Sequence, residues 1–286
     1  MTILELTRCL STALGGIYPE PEAAAIAGQV LEYYLKLTPL IRRMQAAELV
    51  SMEKEQLIEA AQDRLLRHEP LQYVLGTAYF AGLELAVTPA TLIPRPETEE
   101  LVALISKEQK NAPQLTILDI GTGSGCIPIA LSQALPEAWV MGVDISAEAL
   151  AVARRNAARY APNVEFQEVD ILRAAPTGIA PHSLAVLVSN PPYVLESERV
   201  LMRPNVLRYE PATALFVPDN DPLLFYRRIA GLGQELLRPG GKLYFEINER
   251  YAESVLALLA GLGYAGGQIQ QDMFGKDRMV SGVFCE

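Results

Sequence analysis

The hydrophobic positions change period along the chain. Through the first 70 or so residues they recur at helical spacing. Ile3, Leu6, Leu10 and Leu14 share one face until Gly15-Gly16 ends the run. Pro21 opens a second helix with Ala23, Ile26, Ala27, Val30, Leu31, Tyr34 and Leu35 inward, and Pro39 breaks it. Ser51 caps a third, with Leu57, Ile58, Ala61, Leu65 and Leu66 inward, and Pro70 ends it. Amphipathic helices of this kind bury their apolar faces against one another, so a small bundle is predicted over residues 1–75. Such a bundle serves equally as a stabilising cap or as a docking surface for a large substrate, and periodicity alone does not distinguish the two.

The period then shortens. Leu83, Leu85 and Val87 alternate after a turn at Ala81-Gly82, which predicts a β-hairpin linker over residues 76–90. Pro96 and the acidic residues after it suit the first turn of a helix, and Arg95 between two prolines is a fixed cation. From Leu115 onward apolar strands alternate with helices: 115–120, 140–145, 164–169, 184–188 and 242–247 read as strands. Two further runs, 268–274 and 279–285, flank a short turn and fit an antiparallel hairpin at one end. Alternation of this kind means an α/β domain over residues 91–286, with a mostly parallel sheet covered by helices on both faces.

Composition narrows the class. Of the 286 residues 50% are hydrophobic and 20% charged, and no apolar run reaches the ~20 residues of a membrane span. The first residues lack the basic and apolar regions of a signal peptide, and Cys9, Cys126 and Cys285 suit neither a disulfide framework nor a zinc site. A cytoplasmic protein without a metal is expected. The net charge of −10 lacks the basic footprint of a nonspecific nucleic-acid binder.

Candidate chemistry gathers at the predicted carboxyl ends of the strands, where open parallel sheets bind ligands. Gly121-Thr122-Gly123-Ser124-Gly125 follows the first strand and lets backbone approach a ligand closely. No Lys-Ser or Lys-Thr pair follows it, as a phosphate loop requires, although the loop alone also suits a nicotinamide dinucleotide. Asp144 ends the second strand, placed to accept from ribose hydroxyls. Asp170 ends the third, placed to accept from an adenine amine with Ile171 against the ring. Asn190-Pro191-Pro192-Tyr193 closes the fourth. Its two prolines lack N–H donors, so the Asn190 and Pro191 carbonyls are free to meet a ligand. Asn190 adds a side-chain acceptor and Tyr193 a flat aromatic face. Two acceptors and a ring suit a planar group bearing an NH₂, while an ordinary strand-ending turn is the bland alternative. Adenosine recognition without phosphate machinery, beside such a motif, points to S-adenosylmethionine and methyl transfer.

Further motifs accompany these: Pro70-Leu71-Gln72-Tyr73-Val74-Leu75-Gly76, Leu92-Ile93-Pro94-Arg95-Pro96-Glu97-Thr98-Glu99, Glu210-Pro211 and Asp277-Arg278. With them the chain resembles the bacterial peptide chain release factor glutamine methyltransferases over nearly its full length. The resemblance implies a Rossmann-like, seven-stranded class I methyltransferase domain behind an N-terminal helical domain that contacts the release factor. It implies methylation of the side-chain amide of the glutamine in the Gly-Gly-Gln motif of class 1 release factors, with S-adenosylhomocysteine as product. Gly121 to Gly125, Asp144 and Asn190 would bind cofactor, and Asn190, Pro191, Pro192 and Tyr193 the glutamine. A monomer without stable nucleic-acid or membrane binding is expected. Methylation of a glutamine in a large-subunit ribosomal protein and adenine methylation of DNA are the alternatives.

Overall fold

The computed structural model describes residues 1–285. The chain divides into two compact units: residues 1–77 with 203–209, and residues 78–202 with 210 onward.

The first unit packs α1 (Ile3–Leu14), α2 (Glu20–Leu35), α3 (Pro39–Met44), α4 (Met52–Leu66) and α5 (Leu71–Leu75) around Leu10, Leu14, Val30, Leu31, Ile58 and Leu65. A capping box starts α1: the Thr2 hydroxyl accepts from the Glu5 N–H at 3.2 Å, and the Glu5 carboxylate accepts from the Thr2 N–H at 2.8 Å. Three sequence expectations need correction. Pro39 does not simply break α2; it occupies the first turn of α3, where a missing N–H costs nothing. Leu57 and Leu66 face outward, because the inward stripe of α4 is the narrower Ile58, Ala61 and Leu65. Ser51 stands at the N-cap of α4, but its side chain makes no capping bond. The short helix Pro204–Tyr209, from much later in the chain, completes this unit; the Tyr209 hydroxyl donates to the Arg67 carbonyl at 2.9 Å.

The second unit begins at Ala78, within the hairpin of β1 (Thr77–Phe80) and β2 (Leu83–Ala86), turned at Ala81 and Gly82, which both take positive φ (48° and 79°). In chain order there follow α6 (Pro96–Gln109), β3 (Thr116–Ile120), α7 (Cys126–Ala134), β4 (Trp139–Asp144), α8 (Ala147–Tyr160), β5 (Glu165–Glu168) and β6 (Leu184–Ser189). The two-residue strands β7 (Val194–Leu195) and β8 (Phe216–Val217) pair with each other in parallel. After them come α11 (Leu224–Leu236), β9 (Leu237–Glu246), α12 (Ala252–Gly261), β10 (Tyr264–Gln271) and β11 (Asp277–Phe284), with α9 (Pro204–Tyr209) and α10 (Ala212–Leu215) lying between β7 and β8. The seven-stranded sheet runs β10-β11-β9-β6-β3-β4-β5, with only β11 antiparallel to its neighbours. The last strand is therefore inserted inside the sheet and β10 forms the edge.

Period-two alternation feeds two cores. Leu118, Ile120, Val143, Leu187, Leu243 and Phe245 pack under α11 and α12. Ile117, Val140, Val186, Val188 and Tyr244 face α6, α7, α8 and the hairpin residues Phe80 and Leu85. Pro239-Gly240-Gly241 is not a turn leading into β9. It is a bulge within the strand, where Leu237 to Lys242 spans what Leu184 to Val186 spans on β6. A Cβ on Gly241 would lie 2.8 Å from the Arg238 carbonyl and 2.9 Å from that of Leu184.

Candidate active site

Strands β6, β3, β4 and β5 bring their carboxyl ends to one edge, and the strand order reverses between β3 and β6. A cavity of about 330 Å³ opens there. Its wall takes Gly121 and Gly123 from the turn after β3, Asp144 from the end of β4, Asp170 and Ile171 from beyond β5, and Asn190, Pro191 and Pro192 from beyond β6. Thr122, Ser124 and Gly125 lie outside that wall, as do Tyr193 and both histidines.

The glycine turn is shaped by backbone that other residues resist. Gly121, Gly123 and Gly125 have φ of 77°, 53° and 80°, and a Cβ on Gly125 would come within 3.1 Å of both Ala153 and Ile129. Asp144 ties this turn down. Its Oδ2 accepts from the Gly123 N–H at 2.8 Å and its Oδ1 from the Ser146 N–H at 2.9 Å. Burial pushes its carboxyl above the ordinary range, and these N–H donors pull it part of the way back. Each oxygen keeps a lone pair for a further donor. Asp170 accepts from the Leu172 N–H at 3.1 Å and pairs with the exposed Arg173, while Ile171 is nearly buried beside it.

Behind the turn lies an orphaned polar cluster. Asp119 is fully buried, and among the described residues neither of its oxygens has a hydrogen-bond partner, nor do the Thr122 and Ser124 hydroxyls. Burial pushes the Asp119 carboxyl up to about 7. The nearby Thr122 hydroxyl, in a geometry short of a hydrogen bond, offsets that in part, and Asp144 adds to it. A close-approach turn, unspent acceptors and an apolar slot at Ile171 fit a nucleoside carrying a cationic chain.

Asn190 sits at the other end of the cavity. Its Nδ2 donates to the Thr98 hydroxyl at 3.3 Å, the Thr98 hydroxyl donates to Glu246 Oε2 at 2.6 Å, and the Tyr193 hydroxyl donates to Glu246 Oε1 at 3.1 Å. The Asn248 side chain donates to the Tyr193 carbonyl at 3.4 Å. Burial pushes the Glu246 carboxyl up, against the pull of the Thr98 and Tyr193 hydroxyls and of Arg278. Burial likewise raises the Tyr193 phenol far above its usual range, so it stays a neutral donor. The flat face of Tyr193 packs into the α11 side of the core.

The far wall is Pro211, Thr213, Ala214 and Phe216. It is anchored by Glu210, whose buried carboxylate accepts from Arg95 at 2.6 Å and from the Ile93 N–H at 3.1 Å. The fixed cation of the sequence is thus committed to the wall. Sequence reasoning also missed Thr98 and Glu246. Glu246 did leave a signal: an acid inside the apolar run 243–247 of a buried strand must find partners.

Two family models match the chain: a PrmC N-terminal domain over residues 5–76 and a methyltransferase small domain over residues 98–204. A release factor glutamine methyltransferase of Bacteroides thetaiotaomicron is 46% identical over 276 residues, covering 96% of this chain and 98% of that protein. The chain belongs to the release factor glutamine methyltransferase family. A Flavobacterium psychrophilum member of the family is 40% identical, covering 94% of each chain. Among solved structures, the human Mettl16 catalytic domain aligns over 82% of both chains with a TM-score of 0.56 at 15% identity. A methyltransferase from Pyrococcus furiosus aligns over 80% of this chain and 100% of its own, with a TM-score of 0.52 at 19% identity. At such identities they bear on the fold alone, which is that of a class I methyltransferase. Among the described residues no helix is long and apolar enough to cross a membrane.

Proposed function

We propose that this chain transfers the methyl group of S-adenosylmethionine to the side-chain amide nitrogen of the glutamine in the Gly-Gly-Gln motif of class 1 release factors, in the cytoplasm and as a monomer. The observation that carries this reading is the state of Asn190. Its NH₂ end is engaged by Thr98, which leaves Oδ1, without a donor among the described residues, as the end available to the cavity that Asn190 lines. Among the described residues no backbone donor takes the Pro191 carbonyl either. Two free acceptors on consecutive residues suit the two N–H bonds of a primary carboxamide.

S-adenosylmethionine supplies a methyl group on a positively charged sulfur, and transfer neutralises that charge. Gly121 and Gly123 would admit the donor closely, Asp144 would accept from its ribose, and Asp170 and Ile171 would hold its adenine. Asn190 Oδ1 and the Pro191 carbonyl fix the plane of the target amide, Pro192 keeps the segment extended, and Tyr193 braces it. An amide nitrogen is a weak nucleophile because its lone pair is delocalised. Placement and the two acceptors, which favour the positive charge growing on nitrogen, therefore carry the catalysis. The N-protonated amide is itself acidic and gives its proton up to water, so no strong base is needed.

Residues 1–75 are the proposed docking domain for the release factor. Supporting this are four exposed apolar side chains, Leu40, Met44, Leu49 and Met52, each more than two-thirds exposed (69%, 77%, 81% and 76%).

The test is incubation with labelled S-adenosylmethionine and, separately, a release factor, a ribosomal protein and DNA. Label is expected on the release factor and lost when its Gly-Gly-Gln glutamine is replaced; label that persists there refutes the reading. Asn190→Ala should keep cofactor affinity within about tenfold, ~1.4 kcal/mol, while turnover falls to background.

A further inference from the structure

We infer that Thr98 and Glu246 are positioning residues of this site: by a chain of two hydrogen bonds they select which end of the Asn190 amide faces the substrate. The inference rests on the role proposed for Asn190.

An asparagine side chain has nearly the same shape either way round, so packing alone scarcely chooses between its two orientations. Turned one way it offers the cavity an acceptor; turned the other, an NH₂ that opposes the NH₂ of a carboxamide. The choice must come from a neighbour that is only a donor or only an acceptor. Thr98 by itself is neither, because a hydroxyl can do both. Glu246 removes that freedom. Its two oxygens accept from Thr98 at 2.6 Å and from Tyr193 at 3.1 Å. With its one proton spent on Glu246, the Thr98 hydroxyl presents only lone pairs to Asn190, and only the Nδ2 end answers them, at 3.3 Å. Flipping the amide would set oxygen against oxygen.

The fold makes this relay rigid. Thr98 lies in the first turn of α6, which Pro96 begins, and Glu246 ends β9 on the α6-facing side with Tyr244. Thr98 and Glu246 are 2% and 1% exposed, so water does not compete for their bonds. The Tyr226 hydroxyl also donates to the Glu246 carbonyl at 3.3 Å, holding the strand end.

Three variants test the relay. Thr98→Val keeps the shape and removes the hydroxyl; Thr98→Ser keeps the hydroxyl. Glu246→Gln has one acceptor where two hydroxyls need one each, so its NH₂ end can turn the Thr98 proton toward Asn190. The expected result is a fall in kcat of roughly tenfold to a hundredfold for Thr98→Val and Glu246→Gln. Cofactor Kd and release-factor KM should stay within about threefold, and Thr98→Ser should restore most of kcat. A purely structural role would instead move Kd, KM and kcat together. Glu246→Gln turning over at the wild-type rate overturns the inference, whether or not Thr98→Val folds. If Asn190→Ala is dead while a folded Thr98→Val works normally, the relay is wrong and the role of Asn190 stands. If Asn190→Ala itself turns over normally, the underlying reading falls with it.

Discussion

Asp119 shows how much one side chain can cost where it sits. It is fully buried without a hydrogen-bond partner among the described residues, and its carboxyl is pushed from 3.8 to about 7. The folded state therefore holds this proton more tightly than the unfolded chain. The associated stability is fully present below about pH 3.8 and is lost as pH rises to about 7. The span corresponds to roughly 4 kcal/mol, about 1.4 per pH unit. Asp119→Asn, which cannot ionise, should be the more stable protein above pH 7, and its advantage should shrink steadily toward pH 4. Urea unfolding of both proteins at several pH values, without cofactor, checks this; an advantage independent of pH would show that Asp119 does not titrate as described. At this scale the sequence was readable where chemistry sits at strand ends. Gly121, Gly123, Asp144, Asp170, Ile171, Asn190, Pro191 and Pro192 all reach one cavity. It was unreadable where a function depends on a partner distant in the chain: Thr98 and Glu246 are 148 positions apart, and no local pattern joins them.

Among the elements, α8 does more than cover the sheet. Its buried Asn156 accepts from the Ala86 N–H at 2.7 Å and donates to the Ala86 and Ser124 carbonyls, both at 2.9 Å. One helix residue thereby fastens the hairpin strand β2 and the glycine turn together. Asn156→Ala would strand three buried backbone groups, two on Ala86 and one on Ser124, so a loss of about 3 kcal/mol or more is expected, each orphaned group costing about 1–3. Cofactor affinity should fall as well, because the turn loses its anchor. Thermal melting and equilibrium dialysis with the cofactor measure the two effects; wild-type cofactor affinity would separate the hairpin from the turn. Asparagine in mid-helix carries no sequence signal of such a role, since a helix interior merely tolerates it. The central strands β3, β4, β6 and β9 were legible as apolar runs because a sheet buried on both faces needs them, whereas the edge strand β10 is Tyr264–Gln271 rather than 268–274, because its exposed residues leave no such run. The bulge at Pro239-Gly240-Gly241 was not, because those residues spell a turn equally well and only pairing with β6 decides.

At the level of the whole chain, the units are not consecutive stretches. The backbone leaves the second unit after Met202, contributes the helix Pro204–Tyr209 to the first, and re-enters the second at Glu210. Residues 78–286 produced alone would thus carry that helix without its partners, including the Arg67 carbonyl that Tyr209 binds. Limited proteolysis should cut this fragment within residues 203–209 while sparing the same bonds in the full chain. Equal resistance in both would show that the segment holds its fold unaided. The same threading bears on chimeras among relatives. Exchanging the helical unit at a single junction would pair a foreign bundle with the host's own Pro204–Tyr209 helix, one peptide bond from the Glu210 that anchors the pocket wall. A faithful swap therefore has two seams, with residues 203–209 travelling alongside 1–77.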